Sequence, residues 1–68
     1  MMNMQDGLEV EMSKRIVVTW CSDSLYWYAK FLGTEFIVKR EEEDRYWVRE
    51  PNDYGLINFI LKKDSREV

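Results

Sequence analysis

The chain has 68 residues, of which 46% are hydrophobic and 15% aromatic, and it carries ten basic and thirteen acidic side chains. A chain of this length forms one small domain, and its aromatic content is too high for a disordered chain. Histidine is absent and Cys21 is the single cysteine, which excludes imidazole catalysis, zinc sites containing histidine, four-cysteine zinc sites and an internal disulfide. We therefore predict a non-enzymatic protein without metal or cofactor, located in a reducing cytoplasm.

The N-terminal segment differs from the rest of the chain. Residues 1–11 carry three carboxylates and no basic or aromatic side chain, and they sustain neither a period of 2 nor one of 3.6 residues. We expect 1–13 to form a flexible acidic tail and 14–68 to form the domain. A purine-rich bacterial ribosome-binding sequence can encode residues 8–10 just before Met12, so the alternative is that 1–11 do not belong to the native product. Without them the charges balance, and net charge then favours neither nucleic acid nor any other partner.

Four segments rich in β-branched and aromatic residues have the pattern of strands: 15–21, 34–40, 45–50 and 56–61. The acidic run 41–44 joins the second and third strands into an antiparallel hairpin. Pro51 and Gly55 mark the next turn, where glycine can take a positive φ. Residues 62–65 are predicted to form a helical turn and 66–68 a strand stub.

The segment 22–33 is ambiguous. Ser22 or Ser24 could cap a helix that ends before Gly33, but apolar residues surround such a helix almost completely, so a long aromatic loop or irregular hairpin is favoured. The whole pattern predicts an all-β fold, a small SH3-like barrel of four to five antiparallel strands with one long aromatic loop and a short helical turn near the C-terminus. The aromatic residues expected in the core are Trp20, Phe36, Tyr46 and Phe59.

The spacing of aromatic and small residues is similar to that of a known group of proteins. The residues that carry the similarity are Tyr26-Trp27-Tyr28, Leu32-Gly33, Phe36, Val38, Tyr46, Val48, Lys63-Asp64 and Val68. From about residue 14 to 68 the chain resembles small uncharacterised SH3-like β-barrel proteins of phages and Gram-positive bacteria, especially bacilli. The resemblance implies a fold and an origin rather than an activity. The Ala-Leu-Tyr-Asp-Tyr signature of signalling SH3 domains is missing, so we do not infer binding of proline-rich peptides.

Few side chains are arranged for chemistry. Without a histidine, neither Cys21 nor a serine has an activating base, so Cys21 is interpreted as a small buried hydrophobic residue. The acidic run 41–44 lacks the spaced ligands and glycine of a calcium loop and is interpreted as a solvated turn. A weak ion site and a negative patch for a basic partner are the alternatives.

The third strand offers the best candidate for a binding surface. Its alternation places Tyr46 and Val48 on one side and Trp47 between two arginines on the other, and tryptophan and arginine dominate interface hot spots. We predict that a partner contacts Arg45, Trp47 and Arg49 and the loop residues Tyr26, Trp27 and Tyr28. The acidic turn 41–44 lies at the rim of this surface, with Glu42 and Glu43 as its candidate contact residues. The alternative is that the long loop covers Trp47 and makes it a core residue.

These observations predict a non-enzymatic protein-binding module, in a phage or bacterial setting an inhibitor or adaptor that acts on a host defence protein. One alternative is a structural protein that assembles with itself, for example as a homodimer. Another is a single-stranded nucleic-acid binder that uses exposed aromatics, which is less favoured because Arg40 and Arg45 bracket an acidic run that repels phosphate. The sequence contains no run of 18 apolar residues, so no membrane span is predicted.

Overall fold

The computed structural model describes residues 14–52 and 54–68, so the predicted tail 1–13 lies outside the described residues and stays a prediction. The described part contains six strands and two 3-10 helices. In chain order these are β1 (Arg15–Val18), η1 (Trp27–Phe31), β2 (Glu35–Ile37), β3 (Arg40–Glu41), β4 (Arg45–Arg49), β5 (Ile57–Leu61), η2 (Lys62–Asp64) and β6 (Ser65–Glu67). Neither of these helices is long and apolar enough to cross a membrane.

The strands form two antiparallel three-stranded sheets, with the orders β2-β1-β6 and β3-β4-β5. The all-β class is confirmed, and so is the order of elements: a long first loop, the strands, a helical turn and a short final strand. One more strand is present than the four to five expected, because the second predicted strand is divided in two.

That division is a bend at Val38 and Lys39. The Val38 N–H donates to the carbonyl of Lys14 beside β1, at 2.9 Å, whereas the Lys39 N–H donates to the carbonyl of Trp47 in β4, at 2.7 Å. The chain therefore passes from the first sheet to the second within two residues. Among the described residues no further strand pairing joins the sheets, so they pack together without closing into a continuous barrel.

The core lies between the two sheets. Alternate residues of each strand point into it, as the period of 2 requires, so Ile16 and Val18 are buried while Arg15 is exposed. Phe36 and Tyr46 are buried as predicted, and Phe59 is half-buried and packs against the core. The buried hydrophobic side chains are Ile16, Val18, Tyr28, Phe36, Val38, Tyr46, Val48 and Ile60.

Trp20 is a correction to the predicted core, because 64% of its surface is exposed. The first strand ends at Val18 rather than at Cys21. The N–H groups of Thr19 and Trp20 both donate to the carbonyl of Asp64, at 2.9 and 3.2 Å, instead of continuing the strand ladder. The alternation that would have buried Trp20 is therefore interrupted.

The ambiguous segment 22–33 is a loop that contains the five-residue 3-10 helix η1. The length of η1 exceeds the usual run of about three to four residues, which is short because the hydrogen-bond geometry of a 3-10 helix is poorer than that of an α-helix. After η1 the chain turns at Gly33, whose φ of 83° favours glycine. Neither predicted alternative is fully correct, since the loop is long and aromatic but includes a helical stretch.

The buried carboxylate of Asp64 holds this loop against the rest of the fold. Its Oδ2 accepts hydrogen bonds from the Ser22 N–H at 3.1 Å, the Ser22 hydroxyl at 2.8 Å and the Tyr28 hydroxyl at 2.6 Å. Burial disfavours the charged form, but the hydrogen bonds from Tyr28 and Ser22 more than offset it, so the pKa of Asp64 lies below its usual value. Burial, and then the hydrogen bond to Asp64, raises the pKa of Tyr28.

Candidate functional site

The second sheet presents the predicted binding face on its outer side. Trp47 in β4 lies directly opposite Arg40 in β3 and Phe59 in β5, and such cross-strand partners point to the same side of a sheet. Arg45 and Arg49, each two residues from Trp47, share that side. We call the set Arg40, Arg45, Trp47, Arg49 and Phe59 the arginine–aromatic face.

Two arginines of this face stack on two aromatic rings. The Arg40 guanidinium lies 5.4 Å from the centre of the Trp47 ring, and the Arg45 guanidinium lies 5.3 Å from the centre of the Phe59 ring. The two rings meet edge to face, with centres 6.5 Å apart. Each such cation–ring contact typically contributes about 0.5–1 kcal/mol at an exposed site. The face thus consists of two adjoining rings, each contacted by a guanidinium group, rather than a bare apolar patch.

Trp47 does not fully match either prediction, that of an exposed binding residue or that of a core residue covered by the long loop. Its side chain is half-buried rather than fully exposed, but its cover includes the exposed side chain of Arg40. Its indole Nε1 is buried and has no hydrogen-bond acceptor among the described residues. Arg49 is exposed, and its Nη1 donates to the carbonyl of Gly55 at 2.7 Å.

The loop residues Tyr26, Trp27 and Tyr28 do not act together. Tyr28 is fully buried with its hydroxyl bound to Asp64, so its inclusion in the contact surface is corrected. Trp27 is half-buried, and its Nε1 donates to the carbonyl of Phe59, so that it covers the free edge of β5. Tyr26 and Tyr28 both pack edge to face on Phe59, with centres 5.2 and 5.9 Å apart, but Tyr28 is buried and Tyr26 is half-buried, so of the two tyrosines only Tyr26 joins the face.

The predicted acidic rim is largely neutralised by neighbouring arginines. Arg40 Nη2 lies 2.7 Å from Glu42 Oε2. Arg45 binds Asp44 through Nε and Nη2, both at 3.0 Å, and this hydrogen bonding lowers the pKa of Asp44. Glu43 is exposed, and within 14–52 and 54–68 it has no ion pair.

Glu41 turns to the inner side of the sheet, opposite Tyr46. Its two oxygens accept from Lys14 and Lys62, each at 2.7 Å, and both ammonium groups lie over the Tyr46 ring. Hydrogen bonds from Lys14 and then Lys62 lower the pKa of Glu41 to about 2. This carboxylate therefore links β3 to η2 and to the start of β1, and both of its oxygens are engaged by lysines.

A groove of about 510 Å³ opens at one end of the arginine–aromatic face. It lies where the long loop, the β3–β4 hairpin and η2 meet. Its lining residues are Tyr26, Asp44, Arg45, Leu61, Lys62 and Lys63. Three of these residues, Leu61, Lys62 and Lys63, were not part of the predicted contact surface.

The sequence does contain a signal for part of this set. Alternation in 56–61 places Phe59 and Leu61 on one side and Ile60 on the other, so reading β5 in register with β4 assigns Phe59 to the face of Trp47. Nothing in the sequence brings Tyr26 to this position, because its place depends on how the long loop folds.

The described residues outside this face offer little chemistry. Cys21 is half-buried rather than buried as interpreted, and its Sγ lies 3.0 Å from the carbonyl oxygen of Asp23. In the ranges the structure covers, no three side chains of the types that bind metals come together. Ser22 binds Asp64 directly, in the network that anchors the loop.

No family model, no curated protein and no solved structure matches the chain.

Proposed function

We propose that this protein is a non-enzymatic module that binds another protein through the arginine–aromatic face. Following the resemblance to small SH3-like barrel proteins of phages and Gram-positive bacteria, its partner would be a cytoplasmic protein of the host, and the module would act as an inhibitor or adaptor. Cys21, which has no second cysteine in the chain to pair with, supports a reducing compartment.

The observation that carries this proposal is the pair of arginines stacked on Trp47 and Phe59. Trp and Arg are enriched among the residues that contribute most to protein binding. Both guanidinium groups are also held by carboxylates of the hairpin, Arg40 by Glu42 and Arg45 by Asp44. Side chains that are ordered before association lose less conformational entropy when a partner binds.

The same charge arrangement favours a protein over a nucleic acid. Binding of single strands uses a continuous basic groove along the phosphates. Here Arg40 and Arg45 are each paired with an acid, and the exposed Glu43 lies between those acids in the chain. A phosphate chain crossing the face would meet these carboxylates at the hairpin.

Affinity capture with a matched pair of variants tests the proposal. The full chain is immobilised and exposed to cytoplasmic lysate of a Gram-positive host, beside Arg40→Ala and Lys39→Ala. Both variants remove one exposed positive charge at adjacent positions, but only Arg40 stacks on Trp47. We expect a host protein that the unchanged chain and Lys39→Ala retain and that Arg40→Ala retains at least about fivefold less.

Three results would contradict the proposal. One is that no host protein is retained above the level of an unrelated bait. Another is that Arg40→Ala and Lys39→Ala retain it equally. The third is that nuclease treatment of the lysate removes the signal, which would identify nucleic acid as the bound species. Sedimentation of the pure chain tests the homodimer separately, since a dimer sensitive to Arg40→Ala would assign the face to self-assembly.

A further inference from the structure

The groove beside the arginine–aromatic face defines the chemistry of the partner more narrowly. We infer that it binds a short acidic segment of a partner protein, in which an apolar side chain stands next to a carboxylate. This inference rests on the proposed protein-binding function and adds to it the class of segment that is recognised.

The floor and one wall of the groove accept an apolar side chain. Tyr26 and Leu61 are both half-buried, and the Tyr26 ring is held by its edge-to-face contact with Phe59 at 5.2 Å. A volume of about 510 Å³ is within the usual range of about 300–1,000 Å³ for binding pockets. The groove therefore has an aromatic side chain in its lining and room for a bulky aliphatic or aromatic side chain beside a backbone.

The rim of the groove is positive. Arg45, Lys62 and Lys63 stand against the single acid Asp44, whose two oxygens are both bound by Arg45. Lys62 is paired with Glu41 at 2.7 Å. Lys63 is exposed and has no ion pair in the described part of the chain, and Nη1 of Arg45 has no acceptor there either.

Lys63 and Nη1 of Arg45 are therefore two donors of the groove without an acceptor among the described residues, and a partner can supply that acceptor. Lys63 supplies an ammonium and Arg45 supplies an N–H in a fixed orientation, because its guanidinium is clamped between Asp44 and the Phe59 ring. A carboxylate is the acceptor that both groups bind best among protein side chains. The partner segment is therefore acidic rather than basic, in contrast to the basic patch expected from the acidic run alone.

A single carboxylate fits this site better than a phosphate chain. A nucleic acid carries charge continuously and would extend from the groove past Glu42 and Glu43. A peptide with one or two acids can place them at Lys63 and Arg45 and continue with neutral residues. Charge complementarity is thus local to the groove.

A titration of the full ¹⁵N-labelled chain tests this inference. The probes are a synthetic peptide Ser-Glu-Leu-Glu-Leu-Glu-Ser, the same peptide with glutamine in place of glutamate, and an oligothymidine of similar length. With the acidic peptide we expect chemical-shift changes concentrated at Tyr26, Arg45 and 61–63, and little change at Tyr54 in the turn between β4 and β5. We expect the glutamine peptide to bind roughly tenfold more weakly, and the acidic peptide to bind more weakly as salt rises.

A matched pair of charge reversals locates the interaction. Lys63→Glu changes an exposed lysine in the groove, and Lys39→Glu makes the same change at an exposed lysine that does not line it. We expect Lys63→Glu to weaken binding of the acidic peptide at least about fivefold and Lys39→Glu to leave it within twofold. The spectrum of each free variant shows directly whether it is folded.

The outcomes separate the two proposals. Equal binding of the glutamine peptide, no shifts at the groove up to millimolar peptide, or equal effects of the two lysine variants would each overturn the acidic-segment inference. Tighter binding of oligothymidine would assign the groove to nucleic acid. If the acidic peptide does not bind, but a host protein is retained by the unchanged chain and much less by Arg40→Ala, the protein-binding function stands and only the inferred chemistry of the partner segment is wrong.

Discussion

The long loop and the arginine–aromatic face both gather aromatic side chains, but they treat the polar groups of those side chains in opposite ways. In the loop, the Tyr28 hydroxyl donates to Asp64 at 2.6 Å and the Trp27 indole donates to the carbonyl of Phe59. On the face, the indole Nε1 of Trp47 is buried without an acceptor among the described residues, and part of its ring is covered by the exposed guanidinium of Arg40.

The difference indicates which cluster stabilises the fold and which is available to a partner. A buried polar group costs free energy unless it is hydrogen-bonded, and once bonded it holds its neighbours in one arrangement. In the loop cluster, three donors share Oδ2 of Asp64 and this fixes the loop, although the other oxygen, Oδ1, has no donor among the described residues. The face leaves the Trp47 Nε1 donor unsatisfied, and the exposed Arg40 side chain that lies over the Trp47 ring is one that a partner can displace.

The strongest way to break this comparison is to remove the anchor of the loop. Asp64→Ala leaves the Tyr28 hydroxyl, the Ser22 hydroxyl and the Ser22 N–H without their shared acceptor. Because hydrogen bonds to a charged group contribute about 1.5–3 kcal/mol and the orphaned Tyr28 hydroxyl is buried, we expect a loss of about 3 kcal/mol or more in the free energy of unfolding. Urea denaturation followed by tryptophan fluorescence measures it.

The matched control for Asp64→Ala is Asp23→Ala. Asp23 also accepts a hydrogen bond, from the Leu25 N–H at 2.9 Å, but it lies in an exposed turn. We expect that change to cost less than about 1 kcal/mol. Equal losses for the two variants would show that the loop is not held by its buried carboxylate.

Tyr28→Phe removes one hydroxyl from the same network, which donates to Asp64 and accepts from the Leu61 N–H at 3.4 Å. The ring stays in the core and only the hydroxyl at Asp64 is lost, so we expect a loss of about 2 kcal/mol in the free energy of unfolding. Tyr54→Phe is the control, since the Tyr54 side chain is 82% exposed and its hydroxyl has no partner among the described residues. A Tyr28→Phe variant as stable as Tyr54→Phe would contradict the role given to this hydrogen bond.

The fold was largely predictable because it follows local patterns. Strand 45–50 was placed correctly by its alternation, and Gly55 does take a positive φ, at 60°. The bend at Val38 and Lys39 was not predictable, because it depends on two different strands, β1 and β4, competing for consecutive N–H groups. The predicted burial of Trp20 was wrong for the same reason, because the distant carbonyl of Asp64 accepts the N–H groups that would have continued its strand.

The candidate site was predictable only where it lies on a strand. Arg45, Trp47 and Arg49 share a face because of the strand period, and the structure places them so. The triplet 26–28 has no such period, and one of its tyrosines became the most buried aromatic side chain of the chain's described part. The position of Tyr28 depends on Asp64, which is 36 residues away in the chain and accepts the hydrogen bond from its hydroxyl.

Trp47→Ala sharpens the comparison from the side of the face. Because the indole is half-buried, we expect a loss of about 1.5 kcal/mol in the free energy of unfolding, less than for a fully buried aromatic residue. Circular dichroism in urea measures it without relying on the lost fluorophore. Trp20→Ala, at a tryptophan that is 64% exposed, should change the stability by less than about 0.5 kcal/mol. A loss above about 3 kcal/mol for Trp47→Ala would make Trp47 a core residue and remove it from the face.

The smallest expected effect is on the pH dependence of stability. It is compared at two carboxylates whose pKa is lowered, Asp64 and Glu41. Neutral donors stabilise the charge of Asp64, whereas two ammonium groups stabilise that of Glu41. In both cases the folded pKa is below the ordinary value, so the contribution to stability is complete above that value and is lost as the pH falls toward the folded pKa. For Glu41 this window runs from an ordinary 4.5 down to about 2.

Salt distinguishes these two contributions. The Glu41 ion pairs with Lys14 and Lys62 are partly exposed and therefore screened, whereas the hydrogen bonds at Asp64 are buried and come from neutral groups. We expect Glu41→Gln to flatten the loss of stability between pH 4.5 and 2 in low salt and to do so much less in high salt. Glu43→Gln, at an exposed neighbour without an ion pair among the described residues, should leave that profile nearly unchanged. If Glu41→Gln and Glu43→Gln gave the same acid profile at low salt, Glu41 would not link the elements on the inner side of the sheet, and the acid sensitivity would belong to Asp64 instead.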